Sequence, residues 1–573
     1  MGQAHWALLL LTTCTGMCFA QAPMAASRDC PARSLFTVVE AGIPAMRTAM
    51  EQGRLTSREL VTEYFLRIAR YEDKLNAAIT VNPRALEEAE ALDRERAAGK
   101  VRGPLHGIPI ALKDNIHTTN MPTTGGTLAF EGFIPPYEAT LTRNLREAGA
   151  IIIAKTGMTE LANWVASGMP GNYNALTGYG MNPYDSRRDP RAATADGRPA
   201  LATGGSSSGI GTAANFWAAN VGTETSGSIL SPANQNMLAA IKPTVGRISR
   251  YGIIPITADQ DTAGPMAKTV ADAAILLGAM EGAAPDPNDP ATTRCAPPAG
   301  RDYSKYLRPG ALKGARIGIP RAFYFEPHTP PGADKPRGGL NADQKTVMQE
   351  AIGILKEMGA VIVDPADLPS VVAADKRDSL LAWDICAGAS GAKGRDQECS
   401  TVFKYGMKRD FNRWLATLGS AAPVKSLTAL REFNLAHQRA GAIKYGQAQL
   451  DISDEMDVES DRARYEADRA RGIALAAANG IDAVMKQHRL DALLLPAAAG
   501  YSVAATPGYP TVMVPFGMVP NDPTPPFPVG FEAKAAPFGV SFTGTACSEP
   551  RLIELAYAFE QATKRRVPPP SVP

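Results

Sequence analysis

The chain has 573 residues, of which 45% are hydrophobic and 20% are charged. This composition is typical of a folded protein and excludes a disordered tail, while the length allows one large domain or several smaller ones. Lys and Arg total 59 against 57 for Asp and Glu, without a basic run, so we predict no nucleic-acid partner. There are only six His and no CxxC or HExxH motif, so no metal site is expected.

Residues 1–22 are predicted to be a signal peptide. An apolar stretch from Trp6 to Phe19 precedes small residues, and cleavage after Ala20 is favoured over cleavage after Ala22. The alternative is an apolar N-terminal helix that stays attached, because the residues before the stretch include no Lys or Arg. The stretch is too short to span a bilayer comfortably, and no later one is long enough. We therefore expect a periplasmic or secreted protein without a membrane segment.

Cleavage would leave five cysteines in the mature chain: Cys30, Cys295, Cys386, Cys399 and Cys547. In an oxidising compartment one or two disulfides can form among them. Cys386 and Cys399 are the nearest pair in sequence, and buried free thiols are the alternative.

The first half of the chain contains one clear helix and two clear strands. Residues 56–59, Thr-Ser-Arg-Glu, form a capping box, and an amphipathic helix is predicted after them. Residues 108–112 and 150–154 are short apolar runs typical of buried strands. A long loop is predicted over 178–203, which is rich in Gly, Pro, Asp and Arg.

A β-α-β unit is predicted in the second half. Its strands are residues 315–319 and 360–363, and its helix has apolar residues on one face between Val347 and Met358. Another buried strand is predicted over 491–495, and Pro/Gly-rich connections are expected at 284–301, 326–339 and 519–536. Strands and helices alternate along the chain, which indicates an α/β fold with a mixed, mostly covered sheet.

Residues 204–209, Gly-Gly-Ser-Ser-Ser-Gly, are the densest local motif. A phosphate-binding loop would need Lys and Ser or Thr after the last Gly, whereas Ile210 and Gly211 follow. The same residues fit G-x-S-x-G, which would make Ser207 the nucleophile of an α/β-hydrolase, but the segment before them is a poor strand. A plain Ser/Gly-rich turn would be the simplest interpretation if this motif stood alone.

Two further segments change that interpretation. Residues 222–229, Gly-Thr-Glu-Thr-Ser-Gly-Ser-Ile, again lead through small residues to a serine. Two such loops in one short stretch indicate a built oxyanion site. Residues 107–115 place Lys113 at the end of an apolar strand, where a lysine is either an edge residue with its charge in solvent or a buried base.

The three segments together resemble the amidase signature family, serine hydrolases with a Ser–cis-Ser–Lys triad. Further blocks that resemble the family lie at residues 155–162, 241–246, 260–267, 537–542 and 557–563. The chain is most similar to the bacterial peptide-amidase and aryl-acylamidase branch. The resemblance implies one catalytic domain over 35–570, with a mixed central β-sheet covered by helices on both faces and a helical insertion at about 370–490.

The resemblance also implies the roles of individual residues. Ser228 is the nucleophile, Lys113 is the base, and Ser206, in a cis peptide bond, relays the proton between them. Backbone N–H groups form the oxyanion hole, and they belong to Thr225, Ser226, Gly227 and Ser228. Ser207 is expected to support Lys113 or Ser206. A lysine can accept a proton near neutral pH only if its pKa falls from ~10.4 by roughly three units, a shift that a mostly apolar pocket with dense hydrogen bonding can supply.

Three departures from the family pattern bear on the loop geometry. Ser206 and Ser228 are 22 positions apart (228 − 206), slightly fewer than is usual in the family. Phe216 and Trp217 stand where smaller residues are usual, and Ser226 stands where Gly or Asp is common.

The predicted function is hydrolysis of a carboxamide through an acyl-enzyme on Ser228, without metal or cofactor and with side activity on esters. The substrate is a small-molecule or peptide amide, anilides included. One alternative is the amidotransferase subunit of a tRNA-dependent complex, which would work with protein partners in the cytoplasm. Another is a non-catalytic binding protein on the same scaffold, against which the intact Lys113, Ser206 and Ser228 argue.

Overall fold

Strands are distributed along the whole of the chain that this computed structural model describes, residues 36–205 and 209–573. The strands are β1 (Ala78–Val81), β2 (Pro109–Lys113), β3 (Ile151–Thr156), β4 (Tyr173–Asn174), β5 (Gly178–Tyr179), β6 (Ala219–Glu224), β7 (Ala239–Lys242), β8 (Thr262–Ala267), β9 (Arg316–Gly318), β10 (Val361–Val363), β11 (Ala492–Pro496), β12 (Thr511–Val519) and β13 (Ala536–Thr543). The predicted signal peptide and residues 206–208 lie outside the described residues.

Helices alternate with these strands. They are α1 (Ile43–Glu51), α2 (Ser57–Leu75), α3 (Ala85–Ala97), α4 (Thr140–Glu147), α5 (Ile210–Ala213), α6 (Leu230–Gln235), α7 (Val270–Met280), α8 (Ala342–Glu357), α9 (Val402–Thr417), α10 (Leu427–Ala436), α11 (Ala448–Asp454), α12 (Arg462–Ile473), α13 (Asp482–His488), α14 (Tyr501–Ala505) and α15 (Glu549–Thr563). A π-helical segment, Ala474–Ile481, joins α12 to α13. Among the 3-10 turns, Glu160–Asn163, Leu380–Ala382 and Gly388–Gly391 matter below.

Eleven strands form one mixed sheet in the order β1-β3-β2-β6-β8-β7-β12-β13-β11-β9-β10, and β4 pairs with β5 separately. Pairing is parallel within β3-β2-β6 and within β11-β9-β10, and antiparallel at the other neighbours. Strands β2, β3, β6, β7, β8 and β11 are buried at every position. Because alternate side chains point to opposite faces, this burial requires cover on both faces of the sheet. The predicted α/β fold with a mixed sheet is confirmed.

Several local predictions are also confirmed. The capping box begins α2, where the Thr56 side chain accepts from the Glu59 N–H and the Glu59 side chain accepts from the Thr56 N–H. Strands β2, β3 and β11 lie at the predicted apolar runs. Strands β9 and β10 pair in parallel on either side of α8, which is the predicted β-α-β unit.

Residues 370–490 divide into two parts. α-Helices begin at Val402 and continue to His488, whereas residues 370–400 are irregular backbone with two short 3-10 turns. A disulfide between Cys386 and Cys399 lies in the irregular part. A second disulfide joins Cys295 to Cys547, 252 positions apart. Sequence spacing singled out the first pair and gave no signal for the second.

Candidate active site

Ser228 lies in the turn between β6 and α6, near the middle of the sheet. Gly227 before it has φ +91°, and a Cβ on Gly227 would lie 3.2 Å from the ring of Tyr501. Glycine is therefore required there both by the left-handed backbone and by the close approach of the ring. Ser228 itself is buried, with only 8% of its surface exposed.

Glu224, the last residue of β6, holds this turn from inside. Its Oε2 accepts from the Ile229 N–H at 2.7 Å and from the Leu230 N–H at 3.0 Å. These are the donors at the start of α6 that have no partner within the helix, so the carboxylate fixes the backbone that carries Ser228. The sequence pattern did not single out Glu224. An acid just before the small residues of the turn was the available signal.

Lys113 ends β2, which pairs in parallel with β6. Its Nζ donates to Thr223 Oγ1 at 2.7 Å and to the Thr223 carbonyl at 3.1 Å, and its side chain is fully buried. Burial lowers the pKa of Lys113 to about 7, against the opposing pull of the carboxylates of Asp261 and Glu224. Both of these hydrogen bonds are to neutral oxygens. A buried amine in these surroundings can be neutral near pH 7 and able to accept a proton.

Ser206 and Ser207 lie outside the described residues, but the two glycines before them pack on the Ser228 turn. A Cβ on Gly205 would lie 3.3 Å from Ser228 Cα and 3.5 Å from Ser228 Oγ. A Cβ on Gly204, whose φ is +85°, would overlap the backbone of Pro232 at 2.3 Å. The two serine-rich segments therefore meet because glycine lets the first approach the second.

The segment after residue 208 has room for the bulky side chains of Phe216 and Trp217. α5 has only four residues, and the Trp217 ring packs on Gly211, where a Cβ would come within 2.0 Å of it. Trp217 Nε1 donates to Thr212 Oγ1 at 2.8 Å. A short helix with a glycine beneath the indole thus accommodates the departure seen in the sequence.

Thr225, the first residue predicted for the oxyanion hole, is held at two points. Its Oγ1 donates to Asp261 Oδ1, and its carbonyl accepts from Gln260 Nε2 at 3.1 Å. Asp261 Oδ2 also accepts from the Ile256 N–H at 2.9 Å, and burial raises the pKa of Asp261 to about 7. Residues 260–267 resemble the family, but the sequence pattern gave no sign of this positioning role of Gln260 and Asp261.

A cavity of about 340 Å³ opens on Ser228, and we call it the Ser228 cavity. Its lining includes residues 225–228 of the turn, residues 162–164 and 166–168, and the side chains of Phe403, Gln449 and Tyr501. Trp164 lines it and donates from Nε1 to Ser453 Oγ at 2.9 Å. Ser226, which is half-buried, lines it as well.

Several other buried aromatic residues do not line this cavity. Phe130 is fully buried and packs on Phe411 and Trp414. Tyr173 and Tyr179 pack on each other, and Tyr173 packs on Tyr445.

Comparison with known proteins identifies the family. The family model described as Amidase matches residues 59–553. The chain belongs to the amidase signature family. A probable amidase from Arabidopsis thaliana is 32% identical, over 94% of this chain and 92% of that protein. The native peptide amidase from Stenotrophomonas maltophilia has a TM-score of 0.76 and 36% identity, covering 92% of this chain and 98% of that one. A glutamyl-tRNA(Gln) amidotransferase subunit from Synechococcus sp. (strain CC9605) is 28% identical, over 91% of this chain and 96% of that protein.

The resemblance inferred from the sequence is therefore confirmed. The chain is an amidase-family enzyme, and the family acts on small amide or peptide substrates. Within residues 36–205 and 209–573, no helix is long and apolar enough to cross a membrane.

Proposed function

We propose that this protein hydrolyses a carboxamide through an acyl-enzyme on Ser228, with Lys113 as the base and Ser206 as the relay. The observation that carries the proposal is the state of Lys113. It is fully buried, bonded to the two oxygens of Thr223, and lies on the strand next to the one that leads to Ser228. A serine nucleophile needs a proton acceptor, and a neutral buried lysine meets that need.

The proposed reaction has two halves. Neutral Lys113 takes a proton from Ser206 as Ser206 takes one from Ser228, and Ser228 Oγ bonds to the carbonyl carbon. The backbone N–H groups of residues 225–228 stabilise the oxyanion, a contribution of ~3–4 kcal/mol per donor in comparable sites. The C–N bond breaks as the proton passes back to the departing nitrogen. Water then attacks the acyl carbon while one of its protons passes through Ser206 to Lys113, and the ester bond to Ser228 breaks as that proton returns to Ser228 Oγ, which releases the carboxylic acid. Esters should react too, since their acyl chemistry is the same.

Export belongs to the proposal as well. Two disulfides lie within the described residues, and disulfides persist mainly in oxidising compartments. This agrees with the apolar stretch and small residues near the N-terminus. Periplasmic or secreted protein should retain the Cys295–Cys547 and Cys386–Cys399 pairs on non-reducing peptide mapping, and its N-terminal residue should be Gln21 or Pro23.

The alternative with a specific observation behind it is an amidotransferase subunit, because the Synechococcus protein matches over nearly its whole length. That subunit would act in a cytoplasmic complex. Purified protein that hydrolyses amides by itself at full rate argues against this alternative.

The deciding experiment is active-site labelling. Purified protein is treated with a fluorophosphonate, and the modified peptide is located by mass spectrometry. We expect the label on Ser228, no label in Ser228→Ala, and strongly slowed labelling in Lys113→Met. A label on Ser207 would favour the α/β-hydrolase interpretation. Absence of label from folded protein would favour a non-catalytic scaffold. Peptide amides and anilides are the first substrates to test.

A further inference from the structure

A second cavity, of about 230 Å³, adjoins the Ser228 cavity, and we call it the rear cavity. Ala162, Thr225 and Ile256 line both cavities. Asn115 and Thr223 also line the rear cavity. Thr223 is the residue that accepts both hydrogen bonds from Lys113, and Asn115 Nδ2 donates to Thr223 Oγ1 at 3.1 Å. The rear cavity therefore opens on the side of the site where the base lies.

Most of its lining is apolar or aromatic. Ile253 and Ile254 form one wall, and Tyr137, Tyr251 and Trp414 supply rings. The rings are held in place: Tyr137 and Tyr251 stack with centroids 4.8 Å apart, and Trp414 Nε1 donates to His117 Nε2 at 3.0 Å. A fixed apolar surface of this kind favours an apolar or aromatic occupant.

Most of the charged side chains around the rear cavity form salt bridges or hydrogen bonds with other protein groups. Arg250 Nε donates to Asp289 Oδ2 at 2.8 Å, and Arg409 pairs with Asp410 at 2.7 Å. Asp261 accepts from Thr225 and from the Ile256 N–H. Arg413 is exposed at the rim, 3.9 Å from Asp410. An uncharged group entering the cavity would not separate these pairs.

The volume suits one ring. A dry cavity of ~150 Å³ is enough to hold benzene, so 230 Å³ accommodates an aromatic ring with a short substituent. A longer chain would have to continue into the Ser228 cavity.

We propose that the rear cavity binds the leaving-amine part of the substrate, and that this amine carries an aromatic or branched apolar group. The inference rests on the proposed function. In that mechanism the proton that leaves Ser228 toward Lys113 returns from the same side to the departing nitrogen. The group on that nitrogen then lies on the Lys113 side of the loop, where the rear cavity opens. The acyl part occupies the Ser228 cavity.

The test compares two amides with the same acyl group, the primary amide and the N-benzylamide of an N-acylated leucine. Ammonia and benzylamine have similar basicity, so the comparison isolates binding from leaving-group chemistry. The variant is Ala258→Phe, because Ala258 lines the rear cavity and a phenyl ring would fill it. Ala258→Leu is a milder companion. Ala470→Phe is the matched control, since Ala470 is exposed on α12 and does not line either cavity.

We expect Ala258→Phe to lower the benzylamide-to-primary-amide ratio of kcat/KM by about tenfold or more, with Ala258→Leu intermediate and Ala470→Phe unchanged. An unchanged ratio in both Ala258 variants would overturn the inference, and so would wild-type protein that cleaves the primary amide but not the benzylamide. Fluorophosphonate labelling of Ser228 is measured on the same samples. If wild-type protein is not labelled, the proposed function fails. If it is labelled but the benzylamide-to-primary-amide ratio is unchanged in the Ala258 variants, only the rear-cavity assignment fails.

Discussion

Two buried lysines at the ends of neighbouring strands differ in what faces them. Lys113 ends β2 and Lys155 lies near the end of β3, and the parallel register sets Leu112 beside Lys155. Both side chains are fully buried. Lys155 Nζ lies 3.3 Å from Asp114 Oδ1, whereas Lys113 bonds to the neutral oxygens of Thr223.

The pairing of Asp114 explains the difference. Asp114 follows Lys113 directly, in the turn after β2, and its carboxylate pairs with Lys155 on β3. A buried lysine in direct contact with a carboxylate is a structural ion pair, while a buried lysine whose direct partners are neutral oxygens loses its proton more easily. This contrast predicts that one lysine controls activity and the other controls stability.

The largest effect is expected from Lys113→Met. Without the base, kcat should fall by about 10²–10⁴, while the free energy of unfolding changes little, because within the described residues the amine donates to the neutral oxygens of Thr223 and forms no salt bridge. Steady-state kinetics and denaturant unfolding measure the two quantities. If Lys113→Met keeps most of its kcat, Lys113 is not the base.

Lys155→Met should behave in the opposite way. It leaves Asp114 buried without its counter-ion, so we expect a loss of about 3–5 kcal/mol in the free energy of unfolding, with near-normal kcat in the folded fraction. The double variant Lys155→Met/Asp114→Leu should recover part of that stability. A single variant as stable as wild type would show that the pair is unimportant.

The sequence predicted what is local and missed what depends on the order of strands. The capping box of α2 and the apolar runs of β2, β3 and β11 concern residues close in sequence, so their patterns are visible directly. The hydrogen bonds that Thr225 forms with Asp261 and Gln260 are different. They depend on β8 lying next to β6, which places Asp261 beside a residue 36 positions earlier. No periodicity encodes that adjacency.

The same limit applies to the site. The resemblance to a family supplied Lys113, Ser206 and Ser228, but the cavity walls come from distant segments, such as Phe403 and Tyr501. The sequence pattern does not distinguish Phe130 from Trp164 as a pocket residue. Only their surroundings separate them, since Trp164 lines the Ser228 cavity and Phe130 packs in the core.

The pH profile gives a third way to test the contrast between the lysines. Lys113 must be neutral to act as base, and its pKa is lowered to about 7 by burial, so kcat/KM should rise with pH through about 7. The Asp261 carboxylate favours the protonated form of Lys113. Asp261→Asn should therefore move this rise to lower pH. If the rise of kcat/KM stays at the same pH in Asp261→Asn, the carboxylate of Asp261 does not act on Lys113. A profile that is flat between pH 6 and 8 would contradict a pKa of about 7 for Lys113.

Thr225→Val removes the hydrogen bond from Thr225 to Asp261 but leaves the carboxyl group of Asp261 in place. It should give the smallest effect. Valine keeps the shape of threonine but cannot donate to Asp261. Residue 225 then keeps the hydrogen bond from Gln260 Nε2 to its carbonyl and loses the one to Asp261. Loss of one such bond costs about 1 kcal/mol, so kcat should fall roughly fivefold. The rise of kcat/KM should move to lower pH as in Asp261→Asn but by less, because the lost hydrogen bond favours protonated Asp261 without removing the carboxyl group, while Lys113 keeps both bonds to Thr223. A rise that stays in place, or a shift larger than that in Asp261→Asn, would mean that the Thr225 hydrogen bond does not act on Lys113 through the charge of Asp261.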